Sequence, residues 1–255
     1  MLPLMKKDGG IFMTDSGAFS FMGKFSEGSK EYEEATHEKF WIPYIEAYVK
    51  WLREHKEYIY SAANLDIDKI VGERIVDKWN KKYFEPLEKE GIQIVYVAHE
   101  APGEATAMRR FKEYCRRYQY VGINQSQKQY AAQIYQMAKQ FHCRVHGFAW
   151  TELGLVRHYP FFSLDSVTWL GGVRFGTTYD YDGKNFRTID YKHKYRRKAR
   201  RILYEKNGVD YIGVLNEERK AINRMNLLGW MGFRKEYLKM ANLKLHNKTV
   251  DCYER

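Results

Sequence analysis

The sequence predicts a mixed α/β protein, a (β/α)8-type barrel that is modified in its last units and carries a helical C-terminal tail. Three observations support this prediction. The chain has 255 residues, close to the length of about 250 residues that such a barrel needs. Short apolar runs recur along much of the chain, and a polar residue stands at or near the end of each. Segments with helical spacing separate the runs, and strands that alternate with helices imply parallel pairing through crossovers.

Six apolar runs have the length and composition of buried strands. They are rich in Ile, Val, Tyr and Phe, which favour strands, and they are short enough to cross a sheet once. So many strand–helix units in a chain of 255 residues favour a barrel over an open sheet. The predicted strands are 11–14, 58–65, 92–98, 120–123, 143–149 and 161–164.

The segments between these runs repeat apolar residues at the spacing of an amphipathic helix. The apolar stripes are Trp41, Ile45, Tyr48 and Leu52; Met108, Phe111, Cys115 and Tyr118; and Tyr130, Ile134, Met137, Ala138 and Phe141. Such stripes predict helices that bury one face against the sheet. Cys115 is therefore expected to be a small core residue. Gly91 follows the helical segment 72–90 and is expected to end it.

The pattern changes after Gly171, and we expect the single domain 1–255 to carry an insertion at 171–210. Its first part alternates apolar and polar residues around Asp182-Gly183, a dipeptide typical of a hairpin turn. A basic helix is predicted next, followed by one more strand at 211–215. Residues 217–255 predict the helical tail.

Composition narrows the class of protein. Hydrophobic residues make up 44% of the chain, which is too much for an intrinsically disordered protein. No stretch approaches the roughly 20 apolar residues of a membrane span, and the first ten residues lack the apolar core of a signal peptide. The three cysteines, Cys115, Cys143 and Cys252, are too far apart for a disulfide scaffold or a CxxC zinc site. We therefore expect a cytoplasmic protein with reduced thiols and no membrane partner.

The charge predicts a polyanionic partner. The formal net charge is +11, and nucleic acid is the most frequent partner of such a basic domain, although a basic soluble protein without such a partner is the alternative. The segment 192–201, KHKYRRKARR, concentrates this charge. Tyr195, Ala199, Ile202 and Leu203 share one helical stripe, which predicts a docked helix with its cations outward. The residues predicted to contact the nucleic-acid backbone are Lys192, Lys194, Arg196, Arg197, Lys198, Arg200 and Arg201.

Polar residues at the strand ends define the predicted site. The carboxyl ends of barrel strands converge on one mouth, where active sites form. These residues are Asp15, Asp66, His99, Asn124, His146 and Asp165. Each alone is equally compatible with a helix cap. A zinc site of His99, His146 and Asp165 is an alternative, but the first strand lacks the His-x-His pair usual in metal-dependent barrel hydrolases. We predict no metal and no cofactor.

Three motifs, taken together, resemble the tRNA-guanine transglycosylase superfamily. Asp15-Ser16-Gly17-Ala18-Phe19 resembles the DSGGFQ segment of that family, and His146-Gly147-Phe148 followed by Ser163-Leu164-Asp165-Ser166 resembles the stretch that presents its nucleophilic aspartate. The similarity runs from about residue 11 to residue 176. It is greatest to the short phage and bacterial members that act on DNA.

The resemblance implies a role for each matching residue. Asp165 matches the nucleophile that attacks the sugar C1′ and forms a covalent glycosyl-enzyme. Asp15 matches the aspartate near the base that supports proton transfer. The predicted base-binding residues are Ser16, Gly17, Phe19, Asp66, His99, Asn124, His146 and Trp150. Trp150, Trp169 and Tyr179 are candidates to stack on a flipped base.

The departures from the family pattern favour DNA over tRNA. The tRNA enzymes carry a CxCxxC zinc motif with a downstream histidine, and this chain has none. Ala18 and Ser20 replace the second glycine and the glutamine of the family motif.

The predicted reaction is cleavage of the N-glycosidic bond of a modified nucleobase that is flipped out of DNA. The acceptor stays open: water would make a glycosylase, for example one that removes a phage base in defence, and an incoming base would make a 7-deazaguanine transglycosylase on DNA or tRNA. A barrel that binds nucleic acid without catalysis is the other alternative. The catalytic interpretation expects Asp165 and Asp15 to face each other across a cavity that admits an extruded nucleotide.

Overall fold

The computed structural model describes residues 12–22, 28–100, 108–150 and 152–240. The chain divides into two compact units. The N-terminal unit contains the chain up to Ile123 together with Gln136–His146. The C-terminal unit contains Asn124–Tyr135 together with the chain from Gly147 onward.

Six parallel strands form one sheet, and their order in the sheet is their order along the chain. They are β1 Phe12–Thr14, β2 Ile59–Ala63, β3 Gln93–Val97, β4 Tyr120–Asn124, β5 Arg144–Phe148 and β6 Ser163–Leu164. All six strands predicted from the apolar runs are thus confirmed. Adjacent strands of the N-terminal unit pair in parallel, with one irregularity between Phe12 and Met13 of β1; Ala62 of β2, for example, lies opposite Ile94 of β3.

A closed eight-stranded barrel is not shown. Within the described residues, the next two strands, β7 Thr178–Tyr181 and β8 Phe186–Ile189, pair with each other in an antiparallel hairpin. The predicted turn is present: Gly183 has a φ of +95°, and the Asp182 carboxylate accepts hydrogen bonds from the backbone N–H groups of Lys184 and Asn185. The observed fold is therefore mixed α/β with six sequential parallel strands.

Helices connect the strands. They are α1 Ala18–Met22, α2 Lys30–Ala35, α3 Glu38–Glu54, α4 Asp68–Val71, α5 Glu73–Trp79, α6 Glu85–Lys89, α7 Arg109–Arg117, α8 Ala131–Gln140, α9 Leu153–His158, α10 Thr168–Phe175, α11 Arg201–Lys206, α12 Tyr211–Leu215 and α13 Arg219–Met240. A π-helical turn, Asn80–Phe84, joins α5 to α6, and Gln125–Tyr130 and Tyr191–Arg200 are 3-10 helical. None of the helices in the described part of the chain combines the length and apolar character needed to cross a membrane.

Burial follows the predicted stripes. Trp41, Ile45 and Leu52 of α3 are buried, and so is Cys115 of α7, as expected for core residues. Gly91 adopts a φ of +90°, a conformation that glycine accepts without steric cost. The chain reverses there, and Ile92 N–H donates to the carbonyl of Leu87 at the end of α6.

The long helix α13 lies directly on β7. Asn226 is buried, and its side chain accepts from Tyr179 N–H and donates to the carbonyl of Thr177. At Gly229 the backbones are closer still, because a Cβ built there would lie 2.2 Å from the carbonyl oxygen of Tyr179. Glycine therefore permits the contact between helix and strand. The predicted helical tail is confirmed up to residue 240, and its remainder lies outside the described residues.

The prediction of a strand at 211–215 is wrong, because this run forms α12. Asp210 precedes it as an N-cap, and its carboxylate accepts a hydrogen bond from Gly213 N–H over 3.0 Å. An N-cap aspartate satisfies a backbone donor that a helix otherwise leaves without a partner. This local hydrogen bond outweighs the strand preference of the run Tyr-Ile-Gly-Val-Leu.

Candidate functional site

Three polar side chains meet beyond the ends of β1, β2 and β3. Ser16 Oγ donates a hydrogen bond to Asp66 Oδ1 over 3.3 Å. The other carboxylate oxygen of Asp66 lies 3.3 Å from His99 Nε2. All three residues are buried. Because the carboxyl ends of adjacent parallel strands lie at one edge of the sheet, the fold brings these residues together from distant parts of the chain.

Asp68 completes this cluster, although it was not among the site residues predicted from the sequence. Its Oδ1 atom lies 2.5 Å from His99 Nδ1, so the imidazole is held between two carboxylates. Asp68 is the first residue of α4. The sequence did carry a signal, since Asp66 and Asp68 flank Ile67 immediately after the second apolar run.

The two carboxylates keep the His99 imidazole protonated. Burial by itself lowers the pKa of His99, but the hydrogen bonds and charges of Asp66 and Asp68 outweigh it and raise the pKa to about 9. His99 is only 4% exposed. The cluster therefore contains a buried imidazolium, which donates both of its N–H groups to carboxylates.

Asp15 follows β1 and is exposed. Its charge acts on two tyrosines of α3: burial and the nearby Asp15 carboxylate both raise the pKa of Tyr44, and burial is also the largest cause of the raised pKa of Tyr48, to which Asp15 adds. The Tyr48 hydroxyl donates to the carbonyl of Ala63 at the end of β2. Asp15 thus lies beside the edge of the sheet where the Asp66–His99 pair lies.

The turn after Asp15 depends on glycine. Gly17 has a φ of +77°, and a Cβ built on it would lie 3.0 Å from the Tyr44 hydroxyl oxygen. That hydroxyl donates to the carbonyl of Ser16 over 2.6 Å. The Ser16 hydroxyl in turn accepts from Ala18 N–H at the start of α1. These contacts fix the DSGAF segment. The side chain of Phe19, a predicted base contact, lies outside the described residues.

In the C-terminal unit, Asp165 directly follows β6 and is exposed. Its Oδ1 atom accepts a hydrogen bond from Ala149 N–H over 2.9 Å. Its own N–H donates to the carbonyl of Gly147 on β5. Ala149 has a φ of +53°, a left-handed conformation that is uncommon for a residue with a side chain. The backbone beyond β5 is thus shaped so that its N–H group orients the Asp165 carboxylate.

Gly147 gives this turn its tight packing. A Cβ at this position would lie 2.8 Å from Trp150 Cβ and 2.9 Å from Leu164 Cδ2. Trp150 is buried, and its ring packs edge-on against Phe161. The prediction that Trp150 stacks on a flipped base therefore does not fit the structure, because its ring is already enclosed by the core.

The remaining predicted base contacts have structural explanations. Asn124 caps the following 3-10 helix: its side-chain oxygen accepts from Ser126 N–H, and Gln127 accepts from Asn124 N–H. His146 is buried within β5. The ring of Tyr179, a stacking candidate, packs against Phe186 and Trp230. The side chain of Trp169, the other candidate, lies outside the described residues.

The basic segment does not dock through the predicted apolar stripe. It is 3-10 helical over Tyr191–Arg200 and continues as α11. Tyr195 is 61% exposed and Ile202 is 81% exposed, whereas Leu203, the last residue of the stripe, packs against the core around Tyr204. The docked side chain is a cation, Arg197, which is fully buried. The prediction of a basic helix with its arginines outward is therefore wrong at this position.

Arg197 and Arg200 are used within the protein. The Arg197 guanidinium donates to the carbonyls of Gly176 and Val214, while Arg200 lies 3.5 Å from the Asp180 carboxylate. The guanidinium groups of both residues are thus engaged by acceptors within the protein. The exposed cations of the segment are Lys192, Arg196, Lys198 and Arg201, the last paired with Glu205. The side chain of Lys194 lies outside the described residues.

The structure thus presents two groups of candidate residues. The N-terminal unit holds Asp15 and the buried cluster of Ser16, Asp66, Asp68 and His99, and the C-terminal unit holds Asp165 and the exposed cations. The expected cavity between Asp15 and Asp165 stays a prediction. Among the described residues, no three His, Cys, Asp or Glu side chains are arranged to hold a metal ion.

No protein-family model, no curated protein and no solved structure matches this chain. The resemblance to the transglycosylases therefore rests on the motifs around Asp15, His146 and Asp165 and stays a prediction.

Proposed function

We propose that this protein cleaves the N-glycosidic bond of a modified nucleobase in DNA, with Asp165 as the nucleophile. The observation that supports the proposal is the position and orientation of the Asp165 carboxylate. It is exposed, it directly follows a strand of the parallel sheet, and Ala149 N–H holds one of its oxygens at 2.9 Å. A carboxylate oriented in this way can attack an electron-poor carbon without first reorganising.

The proposed reaction proceeds in two steps. A carboxylate oxygen of Asp165 forms a bond to C1′ of the flipped nucleotide while the bond from C1′ to the base nitrogen breaks. The base leaves with the bonding electron pair, and Asp15, directly or through a water molecule, assists proton transfer to it. Water or an incoming base then attacks C1′ and releases Asp165. Water yields an abasic site, and an incoming base yields an exchanged nucleotide.

The buried cluster of the N-terminal unit supports a role in reading the base. Since both N–H groups of the His99 imidazolium point at carboxylates, His99 fixes the positions of Asp66 and Asp68. Carboxylate oxygens accept hydrogen bonds from the ring and exocyclic N–H groups of a base. In this proposal Asp66 contacts the base edge, and Ser16 and His99 position Asp66.

The exposed cations also support a second candidate function, the binding of nucleic acid without catalysis. Lys192, Arg196 and Lys198 are exposed, and cations on such a surface neutralise phosphates without any chemistry at C1′. The two candidate functions differ in whether the protein releases a base from DNA, and therefore in whether replacement of Asp165 changes the rate of that release.

The test is replacement of Asp165 by asparagine. Asp165→Asn keeps an oxygen that can accept from Ala149 N–H but removes the nucleophile, so we expect base release to fall at least a thousandfold while the dissociation constant for DNA changes less than twofold. Asp182→Asn, at an exposed hairpin carboxylate, is the matched control and should retain full activity. Base release measured by mass spectrometry, together with DNA binding by fluorescence anisotropy, provides both readouts. Full activity of Asp165→Asn would refute the nucleophile assignment.

The same assay distinguishes the two acceptors. Abasic sites that form without added base indicate hydrolysis, and incorporation of a labelled free base indicates exchange. DNA binding by the wild type without base release from any modified or unmodified DNA would favour the non-catalytic alternative.

A further inference from the structure

A pocket in the C-terminal unit lies apart from the residues considered so far. It has a volume of about 470 Å³ and lies between the end of α10 and the start of α13. Its lining residues are Val173, Arg174, Phe175, Gly176, Glu217, Arg219 and Ile222. This volume lies in the range typical of small-molecule sites. The eight-residue helix α10, about 12 Å long, separates the pocket from the segment that carries Asp165.

A buried arginine contacts two lining residues of the pocket, Gly176 and Glu217. Arg197 reaches from the basic segment to the carbonyl of Gly176, where α10 ends, and to the carbonyl of Val214. It also lies 3.6 Å from the Glu217 carboxylate. The guanidinium therefore links three chain segments, two of which contribute the lining residues Gly176 and Glu217 to the pocket.

Two exposed arginines on the rim, Arg174 and Arg219, pair with no acid in the part of the chain that the structure describes. Among the described residues, no carboxylate lies within ion-pair distance of Arg174 or Arg219, whereas Arg157 and Arg201 of the same unit each contact a glutamate. Arg219 is also the first residue of α13, a helix of 22 residues, whose N-terminus carries partial positive charge. Guanidinium groups bind phosphate oxygens in pairs of hydrogen bonds. The rim is thus suited to a phosphate group.

An aromatic ring stands beside these cations. Phe175 is 65% exposed, and the guanidinium of Arg174 lies 5.5 Å from the centre of its ring. An exposed phenylalanine next to arginines is a platform on which a nucleobase can stack. The alternative role of Phe175 as a core residue is excluded by its exposure.

Glu217, the acidic residue that lines the pocket, is suited to bind a nucleobase rather than a phosphate group. Glu217 lines the pocket, and its side chain is 29% exposed. Its charge is opposed by the Arg197 guanidinium at 3.6 Å. The Arg197 guanidinium holds the carboxylate in place, and a carboxylate accepts hydrogen bonds from the amino group of a cytosine, adenine or guanine.

We propose that this pocket binds one nucleotide, with its phosphate on Arg174 and Arg219, its base stacked on Phe175, and a base N–H donating to Glu217. The inference rests on the proposed function in one respect: the nucleotide belongs to the DNA strand whose modified base is cleaved, and the pocket holds an unpaired nucleotide away from the reacting one. A free mononucleotide has the same chemistry, and the experiment separates these two sources.

The test compares two variants that should fail in different ways. Binding of a labelled single-stranded 12-mer is measured by anisotropy from 50 to 300 mM salt. Arg219→Ala should lower the affinity about tenfold and reduce the slope of log K against log salt by about 0.7, the value for one lost phosphate contact on a single strand. Phe175→Ala should lower the affinity about tenfold and leave the slope unchanged, because stacking is not ionic.

Conservative and matched variants guard against a merely structural effect. Phe175→Trp should retain the affinity, and Arg219→Lys should retain the slope. Arg234→Ala, at an exposed arginine further along α13, and Leu227→Ala, at an exposed apolar residue of the same helix, are the controls. The proposal is overturned if Arg219→Ala and Arg234→Ala lower the slope equally, or if Phe175→Ala binds the 12-mer as the wild type does.

Two further arms identify the source of the nucleotide and separate this inference from the proposed function. Competition by dCMP, dAMP or dGMP at micromolar concentration would assign the pocket to a free nucleotide; failure to compete, with the variant effects intact, would assign it to the strand. Base release is assayed on the same preparations. If the pocket variants weaken DNA binding but the wild type releases no base, the pocket proposal stands and the glycosylase proposal is refuted. If the wild type releases base but the variants bind DNA normally, the glycosylase proposal stands and the pocket proposal is refuted.

Discussion

His99 and Arg197 are both buried cations, and the protein stabilises them in different ways. His99 lies between the carboxylates of Asp66 and Asp68. Arg197 relies mainly on carbonyl oxygens, those of Gly176 and Val214. A buried charge costs several kcal/mol unless hydrogen bonds and opposite charges compensate for it. Both residues should therefore contribute to stability.

The raised pKa of His99 predicts a stability that falls with increasing pH. Because the folded state holds the proton up to a pH of about 9, while an unfolded histidine loses it near 6.5, the stabilisation is fully present below pH 6.5. It is lost as the pH rises through about 9. We expect the free energy of unfolding to decrease by up to about 3 kcal/mol between pH 6 and pH 10, measured by urea denaturation.

The His99→Gln variant isolates this effect. It should be less stable than the wild type at pH 6, and the difference between the two proteins should shrink toward pH 10. A difference that stays constant across this range would contradict the assignment of a buried imidazolium.

Arg196 and Arg197 are neighbours in the chain, but Arg196 is exposed and Arg197 is fully buried. Arg197→Ala should lower the free energy of unfolding by about 3 kcal/mol, since it leaves buried carbonyl groups without their donor. Arg196→Ala, at an exposed position, should change stability by less than about 0.5 kcal/mol but weaken DNA binding. Urea denaturation and anisotropy on both variants test the pair. Equal destabilisation by the two substitutions would contradict the burial of Arg197.

Single residues were the hardest to predict from the sequence. The types and order of Asp15, Asp66, His99 and Asp165 pointed to strand ends, and the structure places them there. Burial of Arg197 could not be read from the pattern, because its acceptors come from residues 176 and 214, which only tertiary structure brings near. The predicted burial of Tyr195 and Ile202 was wrong for the same reason. Helical spacing shows that residues share one face of a helix, but it does not show whether other residues pack against that face.

Among the secondary-structure elements, helix α13 packs closely against strand β7. The contact at Gly229 leaves no room for a side chain, since a Cβ would lie 2.2 Å from the carbonyl oxygen of Tyr179. The side chain of Asn226, one helical turn earlier, accepts from the N–H group of Tyr179 and donates to the carbonyl of Thr177. The hairpin therefore depends on this helix for its position.

Gly229→Ala should separate the helix from the strand. We expect it to lower the free energy of unfolding by about 2 to 3 kcal/mol, the range for overpacking, although alanine favours helix formation. Gly154→Ala is the control, because nothing lies within 4 Å of a Cβ at that position in α9, and it should be neutral or slightly stabilising. Thermal unfolding of both variants makes the comparison. A fully stable Gly229→Ala would contradict the close approach.

Elements were predicted better than residues. All six apolar runs became strands because length, composition and flanking signals agreed. The run 211–215 failed because Tyr-Ile-Gly-Val-Leu has the composition of a strand, and only the preceding Asp210, as an N-cap, marks it as a helix.

At the scale of the whole molecule, the sequential order of β1 to β6 follows from the repeated alternation of strand and helix. A closed eight-stranded barrel is not shown, because the described chain after β6 turns to a different pattern, an antiparallel hairpin that contacts α13. Net charge describes the whole molecule as well: the excess of +11 favours a polyanionic partner regardless of which unit contacts it.

The central claim is that this molecule breaks the bond between a base and its sugar. The most direct measurement is mass analysis of the small molecules released when the wild-type protein is incubated with a panel of phage DNAs that carry different base modifications. The account predicts one free modified base from at least one DNA, with an equal number of abasic or exchanged sites in the strand. Bound DNA that yields no free base from any member of the panel would contradict it.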